Sequence, residues 1–321
     1  MSRNHPTQEA WSSRANKILI TGSEGLVGTA LRAALEARGE EVVGLDLVGP
    51  GDERGDVRIV DNVRAAIAGC RGVVHLAAVS RVILGERNPR ECEITNIGGL
   101  RNVVEAAQAR RRRPWLLFAS SREVYGQPEA LPVSEDAPLR PCNVYGRTKV
   151  EGERIVGAAR DEGLRAAVAR LSNVYGTTRD HEDRVVPAFA RAAVLGEQLR
   201  VDGTDHTFDF THIDDTTRGL VAFIDLLDDR RVAPPPVHLL TGRPTTLGEL
   251  ATMAIELAGG RSTICEAPPR SYDVSTFYGD PARARELLHW RSEVSIREGL
   301  GRLIGEFRRE LLVEARREVA R

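Results

Sequence analysis

A short apolar strand that runs into a glycine-spaced turn and then into an amphipathic helix is the feature that most narrows the fold of this chain. Lys17–Thr21 (KILIT) reads as the strand, and Thr21-Gly22-Ser23-Glu24-Gly25-Leu26-Val27-Gly28 as the turn. Over residues 25–38, Leu26, Val27, Ala30, Leu31, Ala34 and Leu35 recur at helical spacing. Each glycine has a separate task. Gly22 permits a tight turn, Gly25 lets the backbone approach a pyrophosphate, and Gly28 allows the helix to lie close to the strand. The helix start offers unpaired N–H groups to an anion. A dinucleotide therefore belongs on this turn, with Gly22, Ser23, Gly25, Leu26 and Val27 around it. The second strand ends at Asp46. A carboxylate there accepts hydrogen bonds from ribose hydroxyls and repels a 2′-phosphate, which points to NAD over NADP. Asp56 and Val57, in the next loop, are placed to flank the adenine.

The same alternation continues for about 170 residues. Strands are expected at 41–45, 72–77, 115–120 and 165–170, and helices at 61–68, 89–110 and 143–162. The pattern predicts an α/β fold, a Rossmann-like doubly wound parallel sheet. Beyond about residue 172 the segments shorten, Gly and Pro punctuate them, and 300–314 reads as a closing amphipathic helix. Residues 17–172 thus form an expected NAD-binding domain. Residues 173–321 form mainly a smaller α/β substrate domain, with about 208–230 returning to the first. Residues 1–16 lack a continuous apolar run and read as a disordered tail, not a signal peptide.

Composition narrows the class of partner. With 45 Lys+Arg against 46 Asp+Glu the net charge is −1, so a nucleic-acid partner is not expected. No apolar run approaches the roughly 18 residues of a membrane span. Cys70, Cys92, Cys142 and Cys265 lie far apart without CxxC spacing, which argues against disulfides and a metal site and suits a cytoplasmic location. Arg110–Arg113 reads as a solvated helix end, where cations face the negative dipole. His75 sits in an apolar strand; His181, His206 and His212 form no metal-ligand pattern.

Tyr145 and Lys149 stand four residues apart at the start of the 143–162 helix and share a face. An ammonium beside a phenol favours the phenolate, as does a cationic nicotinamide. Such a tyrosine takes a hydroxyl proton while hydride leaves the same carbon. Ser121, at the carboxyl end of WLLFAS, lies where open α/β sheets bind ligands and can hold the same substrate oxygen.

These stretches, with HLAAVS (75–80), TNIGGLRNVVEAA (95–107), ASSREVYG (119–126), NVYGRTK (143–149), RLSNVYG (170–176) and FDFTHIDD (208–215), resemble the extended short-chain dehydrogenases/reductases that act on nucleotide sugars. The resemblance runs from about residue 17 to about 300. It implies Ser121, Tyr145 and Lys149 as a catalytic triad, with Asn96 as a fourth member holding a water near the lysine. It implies Leu76, Ala77 and Ala78 at the cofactor and Asn173 at the substrate pyrophosphate. Val186 and Phe189, with Val185, fall in the segment packed on the nucleotide base. Arg270 and Asp273 align with a motif whose arginine grips phosphate. A homodimer through the helices at 89–110 and 143–162 is also implied.

Two positions depart from the family. Phe208 stands where an arginine usually binds the diphosphate, and Arg270, Arg184 or Arg179 are candidates to compensate. At 122–123 the pair is Arg122-Glu123, where simple 4-epimerases usually have a small residue or threonine at 123, 4,6-dehydratases carry Asp-Glu and decarboxylases also carry Glu at 123. Once C4 is oxidised the C5 proton becomes acidic, and Glu123 could take it; a guanidinium at 122 is a poor general acid. Alternatively Glu123 turns away and pairs with Arg122. The leading expectation is an NAD-dependent nucleotide-sugar dehydratase of the UDP-N-acetylglucosamine 5,6-dehydratase kind found in antibiotic pathways. The alternatives are a UDP-sugar 4-epimerase, a decarboxylase and a non-enzymatic dinucleotide sensor.

Overall fold

The computed structural model describes residues 16–229, 233–270 and 274–319, with side chains described as far as residue 313. The expected tail, apart from Asn16, and Asp273 lie outside the described residues. The first part of the chain runs β1 (Lys17–Thr21), α1 (Leu26–Ala37), β2 (Val42–Leu45), α2 (Val60–Ala66), β3 (Cys70–His75), α3 (Val82–Arg87), α4 (Pro89–Glu93), α5 (Gly99–Gln108), β4 (Trp115–Ser121), α6 (Val144–Asp161) and β5 (Ala166–Leu171). It continues with β6 (Asn173–Tyr175), α7 (Val185–Leu195), β7 (Leu199–Asp202), β8 (Thr207–His212), α8 (Ile213–Asp229), β9 (Val237–Leu239) and β10 (Pro244–Thr246). It closes with α9 (Leu247–Ala258), β11 (Ile264–Ala267), α10 (Ala282–Leu288) and α11 (Ile296–Val319).

The main sheet has six strands in the order β2-β1-β3-β4-β5-β9, and every pair in it is parallel. Parallel strands buried on both faces must be apolar throughout, and KILIT shows why. Ile18 and Ile20 point into a core with Leu31, Leu35, Leu220 and Phe223 of α1 and α8. Leu19, between them, points into the opposite core with Val63, Val103, Phe118 and Val156. Helices on both faces make the fold a Rossmann-like α/β sheet. The chain leaves this sheet after β5 and comes back to it with α8 against α1, with β9 at the edge, and again with α10, whose Ala284 and Leu288 join the first core. A third core, including Phe189, Phe210, Leu250 and Leu303, belongs to the later segments. There β10, β8 and β6 form one small sheet and β11 with β7 another.

The expected helix over 89–110 is interrupted. A π-helical turn, Ile94–Gly98, separates α4 from α5 and holds Asn96. The extra residue in that turn carries the Asn96 side chain inward, where it bonds groups from two other elements. α3 had no counterpart in the expected elements, and α11 begins before the expected 300 and runs past 314. Among the described residues no helix is long and apolar enough to cross a membrane.

Candidate active site

After the carboxyl ends of β1 and β3, still paired at Thr21 and His75, the strand order reverses, the place where open α/β sheets bind ligands. A cavity of about 740 Å³ opens there and extends towards α7 and β7. Gly22 turns the chain at φ +72°, and a Cβ on it would lie 2.7 Å from the Ala77 nitrogen. At Gly28 a Cβ would come within 2.1 Å of the Gly22 carbonyl oxygen, so α1 seats on the turn because this residue has no side chain. A Cβ on Gly25 would meet a single backbone oxygen, at 3.4 Å, and would project into free space at the cavity wall. The turn is thus a cradle that a side chain would fill, which suits a diphosphate. The Asp46 carboxylate is fixed by accepting from the backbone N–H groups of Glu24 (3.1 Å) and Val48 (3.1 Å).

Leu26, Val27, Asp56, Val57, Leu76, Ala77 and Ala78 join Gly22, Gly25 and Asp46 in the wall. Ser23 does not: its side chain is buried beneath the turn, where a Cβ on Gly44 would lie 2.6 Å from its Oγ. Asp56 pairs with Arg58 at 2.6 Å, and that guanidinium holds its carboxyl below the usual range. His75 is a core residue. Its Nδ1 hydrogen-bonds Thr21 Oγ1 at 2.7 Å, and burial drives its pKa down to about 3, so it is neutral.

Ser121, Tyr145 and Lys149 come together in the same cavity. Asn143 caps α6, its Oδ1 accepting from the Gly146 N–H at 2.7 Å, which starts the helix one residue before Tyr145. Ser121 Oγ accepts from the Glu123 N–H at 3.2 Å, which fixes it on the turn that faces Tyr145 across the cavity. Lys149 Nζ donates to the Ala119 carbonyl at 2.7 Å and lies 5.6 Å from the Tyr145 ring centroid. A lysine-lowered phenol is not what the chain by itself produces. Burial dominates and pushes Tyr145 up to about 12, against the pull of Ser121 and Arg184, and it pushes Lys149 down to about 8. Asn96 lies behind the wall. Its Oδ1 accepts from the Val79 N–H at 2.7 Å and its Nδ2 donates to Thr148 Oγ1 at 2.9 Å, tying the loop after β3 to α6.

Glu123 is buried in the 3-10 turn after β4 and reaches the cavity wall. One carboxylate oxygen pairs with Arg122 Nη2 at 2.8 Å and the other accepts from Asn143 Nδ2 at 2.7 Å. Arg122 also donates to Asn173 Oδ1 at 3.3 Å and lies over the Phe208 ring, 4.6 Å from its centroid. Val186 and Phe189 line the far part of the cavity from α7. Of the three candidates to compensate for Phe208, Arg270 faces Asp202 at 3.7 Å and Arg184 faces Asp180 at 3.5 Å. Arg179 lines the cavity too, but the guanidinium on Phe208 is that of Arg122. The segment between β6 and α7 crosses to the cofactor side. Arg184 donates to Ser80 Oγ at 3.3 Å, and Asp183 pairs with Arg81.

Sequence reasoning missed the double role of Asn143 and the clasp made by Ser80, Arg81, Asp183 and Arg184. Asn143 carries a readable signal, an Asn directly before a helical apolar pattern. The clasp joins residues about a hundred positions apart and leaves no local signature.

Comparison with known proteins agrees with this geometry. A family model described as the NAD dependent epimerase/dehydratase family matches residues 18–233. A UDP-glucose 4-epimerase of Mycolicibacterium smegmatis is 30% identical over 318 residues, covering 91% of this chain and 98% of that one. Among solved structures, the UDP-glucose 4-epimerase of Thermotoga maritima with UDP-glucose superposes with a TM-score of 0.85 at 26% identity, over 92% of this chain and 99% of that chain. The NAD dependent NDP-hexosamine 5,6-dehydratase TunA, involved in tunicamycin biosynthesis, does so with a TM-score of 0.82 at 27% identity, over 92% and 98%.

Proposed function

The chain belongs to the NAD dependent epimerase/dehydratase family, and from that premise we propose that it is a UDP-sugar 4-epimerase. It is an NAD-dependent enzyme of nucleotide-sugar chemistry; the base, the sugar and the outcome at C4 are the proposed part. One observation carries the choice. Glu123, the carboxylate beside the Ser121–Tyr145 pair, already accepts hydrogen bonds at both oxygens, from Arg122 and Asn143. Each oxygen keeps a second lone pair, but the two partners clamp the carboxylate between the Arg122 turn and the start of α6; that structural use suits inversion at C4, which needs no base at position 123.

When bound, NAD supplies a hydride acceptor and a positive charge beside the phenol. Gly22, Gly25 and Asp46 would hold it, with Ala77 and Ala78 along the β3 side. Tyr145 takes the proton from the sugar O4 and later returns it. Ser121, which lines the same cavity as Tyr145, orients that oxygen. Lys149 stays on the Ala119 carbonyl and keeps a cation one helical turn below the phenol. Asn143 holds the start of α6, and with it Tyr145, in register with the turn carrying Glu123.

A second reading, 5,6-dehydration, is favoured by the place of Glu123 two residues past Ser121 in the cavity wall and by the likeness to TunA. It requires a remaining lone pair of that carboxylate to face the sugar C5. Incubating the protein with NAD and either UDP-glucose or UDP-N-acetylglucosamine decides between them. Products of unchanged mass with inverted C4, retained by E123Q, support the epimerase. Products lighter by one water, lost in E123Q, support the dehydratase and overturn the first reading. A homodimer through the helices at 89–110 and 143–162 belongs to the same proposal. Ile94, an exposed apolar side chain in the first of these segments, supports it, and light scattering checks it.

A further inference from the structure

Arg122 has more hydrogen-bonding capacity than its partners use. Its side chain is 10% exposed and lies in the cavity wall. Nη2 is taken by Glu123 and Nε by Asn173. The plane of the guanidinium is set by the Phe208 ring at 4.6 Å and the Phe277 ring at 5.8 Å. Nη1 is buried and meets no acceptor. Among the described arginines that line the cavity, this is the one with a buried nitrogen lacking an acceptor.

A buried N–H without an acceptor is costly, and the cost disappears when a ligand brings an oxygen to it. A guanidinium suits one kind of oxygen above others. Its planar, permanently charged fork matches phosphate and carboxylate. The location agrees. Arg122 follows Ser121 directly, and its Nε partner, Asn173, opens β6. The cation therefore stands between the catalytic turn and the small sheet, beside the path a substrate takes from the Ser121–Tyr145 pair towards α7.

We propose that Arg122 binds substrate, its free Nη1 taking an anionic oxygen of the nucleotide sugar. This rests on the nucleotide-sugar reading above. The diphosphate carries such an oxygen, and so does the C6 carboxylate of a sugar acid. Calorimetric titration with UDP, UDP-glucose and UDP-glucuronate distinguishes them, with NAD titration as the control for an intact fold. Because R122Q strands the Glu123 carboxylate, the paired variant R122Q/E123Q is compared with E123Q alone. A loss of tenfold or more for all three ligands, with NAD affinity kept, identifies the diphosphate. A loss confined to UDP-glucuronate identifies the sugar carboxylate. Affinities within twofold of E123Q for all three overturn the proposal. Wild-type protein that binds NAD but none of the three ligands overturns the nucleotide-sugar reading, and this inference with it.

Discussion

Alanine at Gly25 and at Gly28 should separate the two tasks of the glycine turn. At Gly28 the new Cβ would lie 2.1 Å from the Gly22 oxygen and 2.8 and 2.9 Å from the Ser23 backbone. All three contacts are main chain, so no side chain can swing aside and α1 must lift from the turn. Overpacking of this kind costs about 1–3 kcal/mol or more, against about 1 kcal/mol gained from alanine's better helix propensity. The net loss, up to about 2 kcal/mol, corresponds to a drop of up to about 3 °C in Tm for a chain of 321 residues. Gly25 differs. It sits at φ −72°, which alanine adopts freely, and its Cβ would touch one backbone oxygen at 3.4 Å. G25A should therefore melt close to wild type, yet its methyl enters the space reserved for the diphosphate. NAD affinity should fall at least tenfold, about 1.4 kcal/mol. Thermal melts and NAD titrations on the two variants give the answer. A G25A protein that binds NAD like wild type would refute the placement of the diphosphate on this turn. A G28A protein that melts like wild type would refute the packing argument.

Y145F should keep NAD affinity and lose turnover by about 10²–10⁴-fold, the usual share of a positioned proton-transfer group, as steady-state kinetics would show. D46A removes the carboxylate that accepts from Glu24 and Val48; it should weaken NAD and narrow the preference over NADP, measured by competitive titration. Lys149 gives a pH prediction. Burial lowers its pKa from 10.5 to about 8 in the chain without cofactor, so between those values the unfolded chain holds a proton that the folded chain has released. Stability from this group is therefore lowest below pH 8 and rises by about 3 kcal/mol towards pH 10.5. Cys70 and Tyr145, both raised by burial, act in the opposite sense at higher pH. The effect must be read as the difference between wild type and K149M in urea unfolding across pH 7–10, and a difference that does not change with pH defeats it. N143A should lower stability by about 1 kcal/mol through loss of the cap, read in a thermal melt, and should lower turnover as well, because the same side chain holds the start of α6 and with it Tyr145.

Some of this molecule could be read from its residues in order, because local geometry imposes local patterns. A strand buried on both faces has to be apolar at every position, and KILIT is. A helix seated on a tight turn needs glycine where the two backbones meet, and glycine recurs at 22, 25 and 28. Tyr145 and Lys149 share a helical face through spacing alone. By the same logic the cavity wall could be expected to include Gly25, Asp46 and Ser121, while Ala77 followed from the family resemblance. The long helix was legible as a periodic stretch but its interruption at Ile94–Gly98 was not, since a π turn changes the register without changing the composition.

The rest depended on approach in space. Arg122, Phe208 and Asn173 are far apart in the chain, and nothing local says that one guanidinium will rest on the first ring and bond the second side chain. Glu123 reads equally well as a free base or a paired carboxylate until Arg122 and Asn143 are seen on its two oxygens. The phenol of Tyr145 follows the same rule. A lysine four residues away predicts a lowered pKa, but enclosure by the folded chain raises it to about 12, because desolvation depends on everything around a group and not on its neighbours in sequence. Periodicity and glycine spacing thus determined the sheet, the turn and the cofactor class, while long-range packing decided the charge state and partners of the groups that meet the sugar.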